Sequence, residues 1–392
     1  MNRLNKRETE TEKSNWKHTL ITIAVCTILV VIGSFFFKYE SPYPSHKSVE
    51  SAVVKQVVSV KEEEIMEGMV NTTTSFLVEI TSGEFKGRNI TLTQTTDQYS
   101  LKSKEIEIGS KIIIVDSNME GETIDQENWQ FAENERFGGV IILIGVFLLL
   151  ILIIGRLKGL ATIVSLVLIS FAIFLVYIPS ILTGFNIYLS TSIITAFIVF
   201  SSLCILNGYN SKTLCAIVGN MGGVLISAIL ALFVNEMLKI SGMIDVDYMS
   251  LMMIGDVHID LKAVVWAGVL IGSSGAIMDV SMSIASSMKE ISNEMKTVNI
   301  KRLVVAGMNI GKDVIGTMTN TLILAYIGSS LAVVLLIFST GKDLILIMNM
   351  EMITVEIIQA IVGSIGILLT VPFTVLFSAW IYEKRSKNEV NI

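Results

Sequence analysis

Residues 138–154 read GGVIILIGVFLLLILII, an unbroken apolar run without a charged or amide side chain. A helix crosses the hydrocarbon layer of a bilayer with about 20 residues, in a range of about 17–25. Continuous rather than alternating apolarity favours a helix over a β-barrel strand, because a helix pairs its backbone polar groups internally. Similar runs recur along the chain and predict eight transmembrane helices, at 18–37, 138–154, 158–177, 187–206, 213–234, 263–286, 313–338 and 356–382.

The composition agrees with a membrane protein, since 52% of the 392 residues are hydrophobic and only 16% are charged. Soluble domains carry about 25% charged residues. The net charge of −6 comes without a long basic run, which argues against a nucleic-acid partner and leaves the lipid bilayer as the expected surroundings. We expect the three cysteines to be small buried residues without disulfides, because they lie in or beside apolar runs: Cys26, Cys204 and Cys215.

Basic residues in the short connections orient the predicted helices. Cytoplasmic loops of membrane proteins are enriched in Lys and Arg, and every second connection here is basic, whereas the connection 235–261 is acidic. This pattern places both termini in the cytoplasm and residues 38–137 outside. It divides the chain into a tail 1–17, a first helix 18–37, an extracellular domain 38–137, a seven-helix domain 138–382 and a tail 383–392. The basic residues that support it include Lys13, Lys17, Arg156, Lys158, Lys212, Lys289, Lys301, Arg302, Lys384 and Arg385.

The first apolar run allows two interpretations, a cleaved signal peptide or a retained anchor. The stretch from Thr19 to Phe37 is longer than the usual core of a signal peptide, about 7–15 residues. The residues at its end, Phe35 to Lys38, contain no small-residue cleavage site. We therefore expect a retained anchor.

The outer segment 38–137 has the pattern of a small all-β domain. Residues Thr72 to Ile80 alternate, a turn follows at Thr81 to Glu84, and Phe85 to Thr95 alternate again. Evenly spaced short strands predict a barrel or sandwich, with an OB-like five-stranded barrel as one topology that fits. The segment is acidic and lacks basic residues interleaved with aromatic ones, so we do not expect it to bind oligonucleotides.

The sixth predicted span carries small and polar residues at helical spacing. Six residues fall on one face of a helix: Gly268, Gly272, Gly275, Asp279, Ser283 and Ser286. Glycines on one face allow a neighbouring helix to approach closely. Asp279 would lie in the inner third of the bilayer, where an ionisable side chain costs about 2.5–3.5 kcal/mol and should face protein or water.

The seventh predicted span carries a second polar face. This face contains Asn309, Asp313, Gly316 and Asn320, and Thr317 and Thr321 lie beside it. The apolar character extends from Leu303 to Phe338, about 54 Å of helix, which is too long for one span. Either residues 303–310 lie on the inner interface, or the helix breaks near Gly311 as in discontinuous transporter helices.

Two polar faces on consecutive antiparallel spans support several hypotheses. The first is a polar path between the two spans for a small solute or ion, with Asp279 and Asp313 as ion or proton sites. A second is an intramembrane aspartyl hydrolase that uses both aspartates. A third is a scaffold or sensor without transport, in which the small residues only pack two helices together. No metal-binding or cofactor-binding motif is present in the sequence.

Three motifs resemble the YibE/F-like family of bacterial membrane proteins. They are Gly155 to Leu160, Gly275 to Ala285, and Gly307 to Gly311 running into Gly316 to Ser330, and the resemblance covers about residues 137–382. It implies a multi-pass protein of the bacterial plasma membrane without assigned catalytic residues. The family has a longer form with an outer domain, which this chain resembles, and a shorter form. The resemblance thus implies a shorter partner chain, and a homo-oligomer is the alternative.

Overall fold

The computed structural model describes residues 2–40, 49–66, 69–97, 106–116, 129–244, 246–252, 258–295, 298–339, 341 and 343–390. These residues form two compact units. One unit contains residues 1–40 and 151–392 and is helical, and the other contains residues 41–150 and carries the β-sheet. A separate N-terminal sheet domain is therefore confirmed.

The sheet unit is a half-barrel of five antiparallel strands. They are β1 (Val49–Met66), β2 (Met69–Ile80), β3 (Asn89–Asp97), β4 (Lys111–Asp116) and β5 (Trp129–Asn134). The order across the sheet is β3-β2-β1-β4-β5, and the two outermost strands, β3 and β5, approach each other. The expected strand from Phe85 starts later, at Asn89, because a turn occupies the preceding residues.

Alternating side chains fill the inside of this half-barrel. In β2, Phe76, Val78 and Ile80 are buried, as the alternation in the sequence predicted. Trp129 of β5 joins this core and contacts the ring of Phe85 edge-on, at 5.7 Å between ring centroids. The rest of the core comes from Ala52, Val54, Ile90, Leu92, Ile112 and Ile114.

Helices make up the second unit. The chain forms α1 (Asn2–Phe36), α2 (Phe137–Ala172), a π-helical turn (Ile173–Tyr177), α3 (Ile178–Leu182), α4 (Ile187–Asn207), α5 (Ser211–Met237), α6 (Val246–Leu251), α7 (Leu261–Glu294), α8 (Ile300–Ser329), α9 (Leu331–Ser339), α10 (Leu344–Met348) and α11 (Glu351–Val390). Of these, α2 crosses the boundary between the two units.

Among the described residues, six helices are long and apolar enough to cross a membrane, or seven if α8 and α9 count as one bent span. The predicted spans 138–154 and 158–177 form one helical run with a kink at Arg156, whose φ and ψ are 49° and −123°. Of the two alternatives for the long apolar stretch 303–338, a break near Gly311 is not found, since α8 continues through it and the chain bends by 59° at Ser330. Insertion of eight spans in a bilayer stays a prediction.

Asparagine and aspartate side chains set the beginnings of four helices. Each accepts a hydrogen bond from the backbone N–H three residues further on, which satisfies a donor that the first helical turn leaves unpaired. The acceptors are Asn186 for α4, Asn210 for α5, Asp260 for α7 and Asn299 for α8, at 2.9–3.2 Å.

Glycines bring α5 and α11 into close contact at the centre of the helical unit. Gly219 lies against Thr374, and Gly223 lies against Thr370 and the backbone oxygen of Gly366. The buried threonine hydroxyls donate hydrogen bonds to backbone oxygens of their own helix, at 2.7 and 2.8 Å, so their burial leaves no donor unpaired. The three cysteines are free and buried, as expected.

Replacement of Gly223 by alanine should destabilise the helical unit. A Cβ atom on Gly223 would lie 2.9 Å from the backbone oxygen of Gly366, so the two helices would have to separate. We expect a loss of about 1–3 kcal/mol of stability, measured as a lower thermal unfolding midpoint in detergent. Gly145→Ala is the control, because Gly145 has no atom within 4 Å of a Cβ position. Equal midpoints for the two variants would contradict the close packing.

Candidate functional site

Helix α7 is enclosed on all sides but one. It packs against α4, α5, α8 and α11. Between residues 263 and 289, the exposed residues of α7 are only five. They are five of the six small and polar residues predicted from the sequence, and the sixth, Ser286, is only half-exposed. We call the five exposed residues the α7 stripe: Gly268, Gly272, Gly275, Asp279 and Ser283.

The α7 stripe differs from the surfaces of the other apolar helices. Helices α1 and α2 expose large apolar side chains, such as Leu29 at 53% and Leu143 at 69%. Within its described residues, α7 exposes none. Lipid-facing helices are covered by apolar side chains because polar groups are expensive in hydrocarbon. The open side of α7 is thus unlike a lipid-facing surface.

Neighbouring helices flank the stripe and make it the floor of a groove, which we call the α7 groove. On one flank, Tyr326 of α8 reaches over Gly272, and a Cβ atom on this glycine would lie 2.7 Å from the tyrosine hydroxyl. On the other flank, Ile271 and Met278 pack against a cluster formed by α1, α2 and α4. No atom lies within 4 Å of a Cβ position on Gly275, so the middle of the groove is open.

Contacts between α7 and α8 show which of their residues lie at the same height along the two helix axes. Helices α7 and α8 are antiparallel, because Gly307 of α8 contacts Met288 and Tyr326 contacts Gly272. Interpolation between these two contacts places Asp279 level with the α8 segment around Thr317. Asp279 and Asp313 thus lie within about one helical turn of the same level.

The predicted polar face of α8 points away from the bundle. Gly307, Gly311 and Leu322 of α8 face its neighbours and are buried. Asn309 and Asp313 each follow one of these glycines by two residues, which is about 200° around a helix. Asn320 precedes Leu322 by the same step. The polar face of α8 therefore does not face the α7 stripe, as a polar path between the two helices would require.

The remaining predicted residues of α8 are also exposed. Gly316 has no atom within 4 Å of a Cβ position. Thr317 and Thr321 donate hydrogen bonds to backbone oxygens of their own helix, at 3.0 and 2.9 Å. Within the described part of the chain, neither Asp279 nor Asp313 forms a hydrogen bond or an ion pair with another residue.

Three residues of the groove were missed in the sequence. Tyr326 lies over Gly272, and its buried hydroxyl has no hydrogen-bond partner among the described residues. Gln359 of α11 lies beside Gly268, with its Nε2 3.4 Å from a Cβ position there. Glu356, one turn earlier in α11, is within electrostatic range of Tyr326. The signal in the sequence was a pair of polar residues, one turn apart, at the start of the last apolar span.

Two cavities lie outside the α7 groove. One has a volume of about 340 Å³ and is mostly apolar, with His18, Cys26 and Tyr209 in its lining. Burial raises the pKa of the Tyr209 hydroxyl. The other has about 130 Å³ and lies between the beginnings of α4 and α7, beside His258 and Asp260. Across the described ranges, no three His, Cys, Asp or Glu side chains are grouped so that they could hold a metal ion.

The open middle of the α7 groove gives a test of its geometry. We expect Gly275→Leu to leave the thermal unfolding midpoint unchanged, because its side chain enters open space. Gly272→Leu should lower the midpoint, because Tyr326 must move, and overpacking costs about 1–3 kcal/mol. A drop for Gly275→Leu as large as that for Gly272→Leu would show that other residues fill the groove.

Comparison with known proteins gives one result. The model of the YibE/F-like protein family matches residues 143–384, which is more than half of the chain and includes α7, α8 and most of α11. No curated protein and no solved structure matches the chain. The matched segment contains the whole α7 stripe and agrees with the resemblance of the sequence motifs. The chain belongs to the YibE/F-like protein family.

Proposed function

We propose that the chain is a multi-pass membrane protein that moves a small cation or a proton along the α7 groove, with Asp279 as the essential charged group. One observation carries the proposal. The only exposed residues of α7 along its apolar length are glycine, serine and aspartate, at positions that a lipid-facing helix would fill with large apolar side chains.

The energy of a carboxylate in a bilayer supports this interpretation. A carboxylate at the middle of a span costs about 2.5–3.5 kcal/mol and persists where water or protein surrounds it. Asp279 has no hydrogen-bond or ion-pair partner within the described residues. The small residues on either side of it, Gly275 and Ser283, leave room for water or for a bound ion. A cation near Asp279 would replace part of the solvation that the bilayer removes.

The α7 groove also has polar groups between Asp279 and the Leu261 end of α7. Gln359 and Tyr326 lie beside Gly268 and Gly272, nearer to the Leu261 end of α7 than Asp279 is. Glu356 adds a second carboxylate in this region. We infer a route that passes these side chains, narrows where Tyr326 covers Gly272, and continues to Asp279 and Ser283.

The location follows from the charges of the connections. In this proposal the helices lie in the bacterial plasma membrane, both termini are cytoplasmic, and the half-barrel is extracellular. The Leu261 end of α7 is then the outer end of the groove, and the Glu294 end is the cytoplasmic end.

The two other functions considered from the sequence, an intramembrane aspartyl hydrolase and a scaffold or sensor without transport, lack a supporting observation. An aspartyl hydrolase needs two carboxylates about 3–5 Å apart that share a proton, whereas Asp313 lies on the side of α8 that points away from its neighbours. A scaffold without transport needs a dry, packed interface around Gly268, Gly272 and Gly275, whereas Gly275 faces open space. Transport is therefore the function that the geometry favours.

Flux through the purified protein tests the proposal. Liposomes that contain the protein and a pH-sensitive dye, or a Na⁺- or K⁺-sensitive dye, should show uptake of at least one of these ions under an imposed potential. We expect Asp279→Asn to reduce this flux by about tenfold or more, since losing about 1.4 kcal/mol of interaction with the ion is a factor of ten, and Asp279→Glu to restore part of it.

The control for this experiment is Glu294→Gln, which removes a carboxylate from the exposed last residue of α7. This variant should conduct like the unchanged protein. Size-exclusion profiles establish that each variant is folded. Flux through Asp279→Asn equal to that of the unchanged protein at every pH would contradict the proposed role of Asp279.

A further inference from the structure

The outward face of α8 has the spacing of a coiled-coil seam. Its residues lie at positions 309, 313, 316, 320, 323 and 327, so the steps are four, three, four, three and four. These steps add up to 18 residues in five turns, the 3.6-residue period of one face of a straight helix, and they place the residues where the a and d positions of a parallel coiled coil would lie. We call the following residues the α8 seam: Asn309, Asp313, Gly316, Asn320, Ile323 and Ile327.

The α8 seam lies at the depth of an apolar span. Gly307, Gly311 and Leu322 of α8 contact Val375, Val371 and Gly363 of α11, so α8 runs along the middle of that apolar helix. The first four seam residues are exposed on the side of α8 opposite to these contacts. Amide and carboxylate side chains at such a depth require a polar partner. The described residues of the chain supply no such partner for Asp313.

A second copy of the same chain matches this seam. An asparagine amide both donates and accepts hydrogen bonds, so Asn309 and Asn320 can each pair with the same residue of another copy. Gly316 has open space around it, which permits close approach of two backbones. All copies are inserted in one direction, so a two-fold axis along the membrane normal brings two α8 helices together in parallel.

Charge complementarity also favours a second copy. In a parallel coiled coil, the residue before a seam position borders the hole that receives the partner's seam residue. Lys312 precedes Asp313 and is exposed. A two-fold axis brings the two Asp313 carboxylates near each other, and it also sets Lys312 of each copy beside Asp313 of the other. The two ion pairs thus offset the repulsion between the carboxylates.

We propose that two copies of this chain associate in the membrane through their α8 seams, with Asn309 and Asn320 fixing the register and Lys312 pairing with Asp313 of the second copy. This interface is independent of the α7 groove, because the seam lies on a different side of α8 from Tyr326. It can be tested without a transport assay.

Disulfide cross-linking of the purified protein in nanodiscs or liposomes tests the seam. Asn320→Cys should give covalent dimers under mild oxidation, because a disulfide forms when two Cα atoms are about 4.4–6.8 Å apart. Leu225→Cys is the control, since Leu225 is 60% exposed on α5, away from α8. The native cysteines are buried and free and should give no cross-link by themselves. Cross-linking at Leu225→Cys equal to that at Asn320→Cys would overturn the proposal.

A charge exchange tests the predicted ion pairs. In the Asn320→Cys background, Lys312→Asp should reduce the cross-linked fraction by about threefold or more, because like charges then face each other. The double variant, Lys312→Asp with Asp313→Lys, should restore it. Counting of subunits by single-molecule photobleaching in liposomes gives an independent measurement. Single-step bleaching for the unchanged protein, or a double variant no better than the single one, would contradict pairing through α8.

Discussion

The close approach of α5 and α11 determines the arrangement of the other helices. Glycines at positions 219, 223 and 366 remove the side chains that would separate the two backbones, and Thr370 and Thr374 fill the space that remains. Bilayer lipids are as apolar as leucine, so helices in a membrane associate through such close packing rather than through the hydrophobic effect. With α5 and α11 together, α7 lies against both, and α4 and α8 cover two more of its sides.

This arrangement explains why one side of α7 has an unusual composition. The buried sides carry Val, Ile, Leu and Ser, which fill the core, and the only side that remains open carries the α7 stripe. If that side faced lipid, selection of large apolar residues would be expected there, as on α1 and α2. Asp279 thus lies on an open side of the bundle, and the proposed function requires that water reaches its carboxylate there.

The sequence was sufficient to predict features that depend on local spacing. The positions of most apolar helices, the alternation in β2 and the membership of the α7 stripe all follow from periods of 3.6 or 2 residues. Periodicity tells which residues share a face, but not which neighbour that face meets. For this reason the sequence alone could not predict that the face with Asp313 points away from α7. It also could not predict that Tyr326 and Gln359 reach the glycines of α7. The kink at Arg156 and the bend at Ser330 likewise depend on packing of whole helices.

Contact between the open side of α7 and water is what the proposed function requires. It is tested most directly by the reactivity of a cysteine at Ser283, in a chain whose three native cysteines are replaced, towards a charged thiol reagent that does not enter lipid. Thiols react as thiolates, which requires water. In membrane fragments open on both sides, we expect Ser283→Cys to react rapidly and Leu225→Cys on the exposed side of α5 to remain unmodified. Equal protection of both cysteines would contradict a water-filled groove along α7.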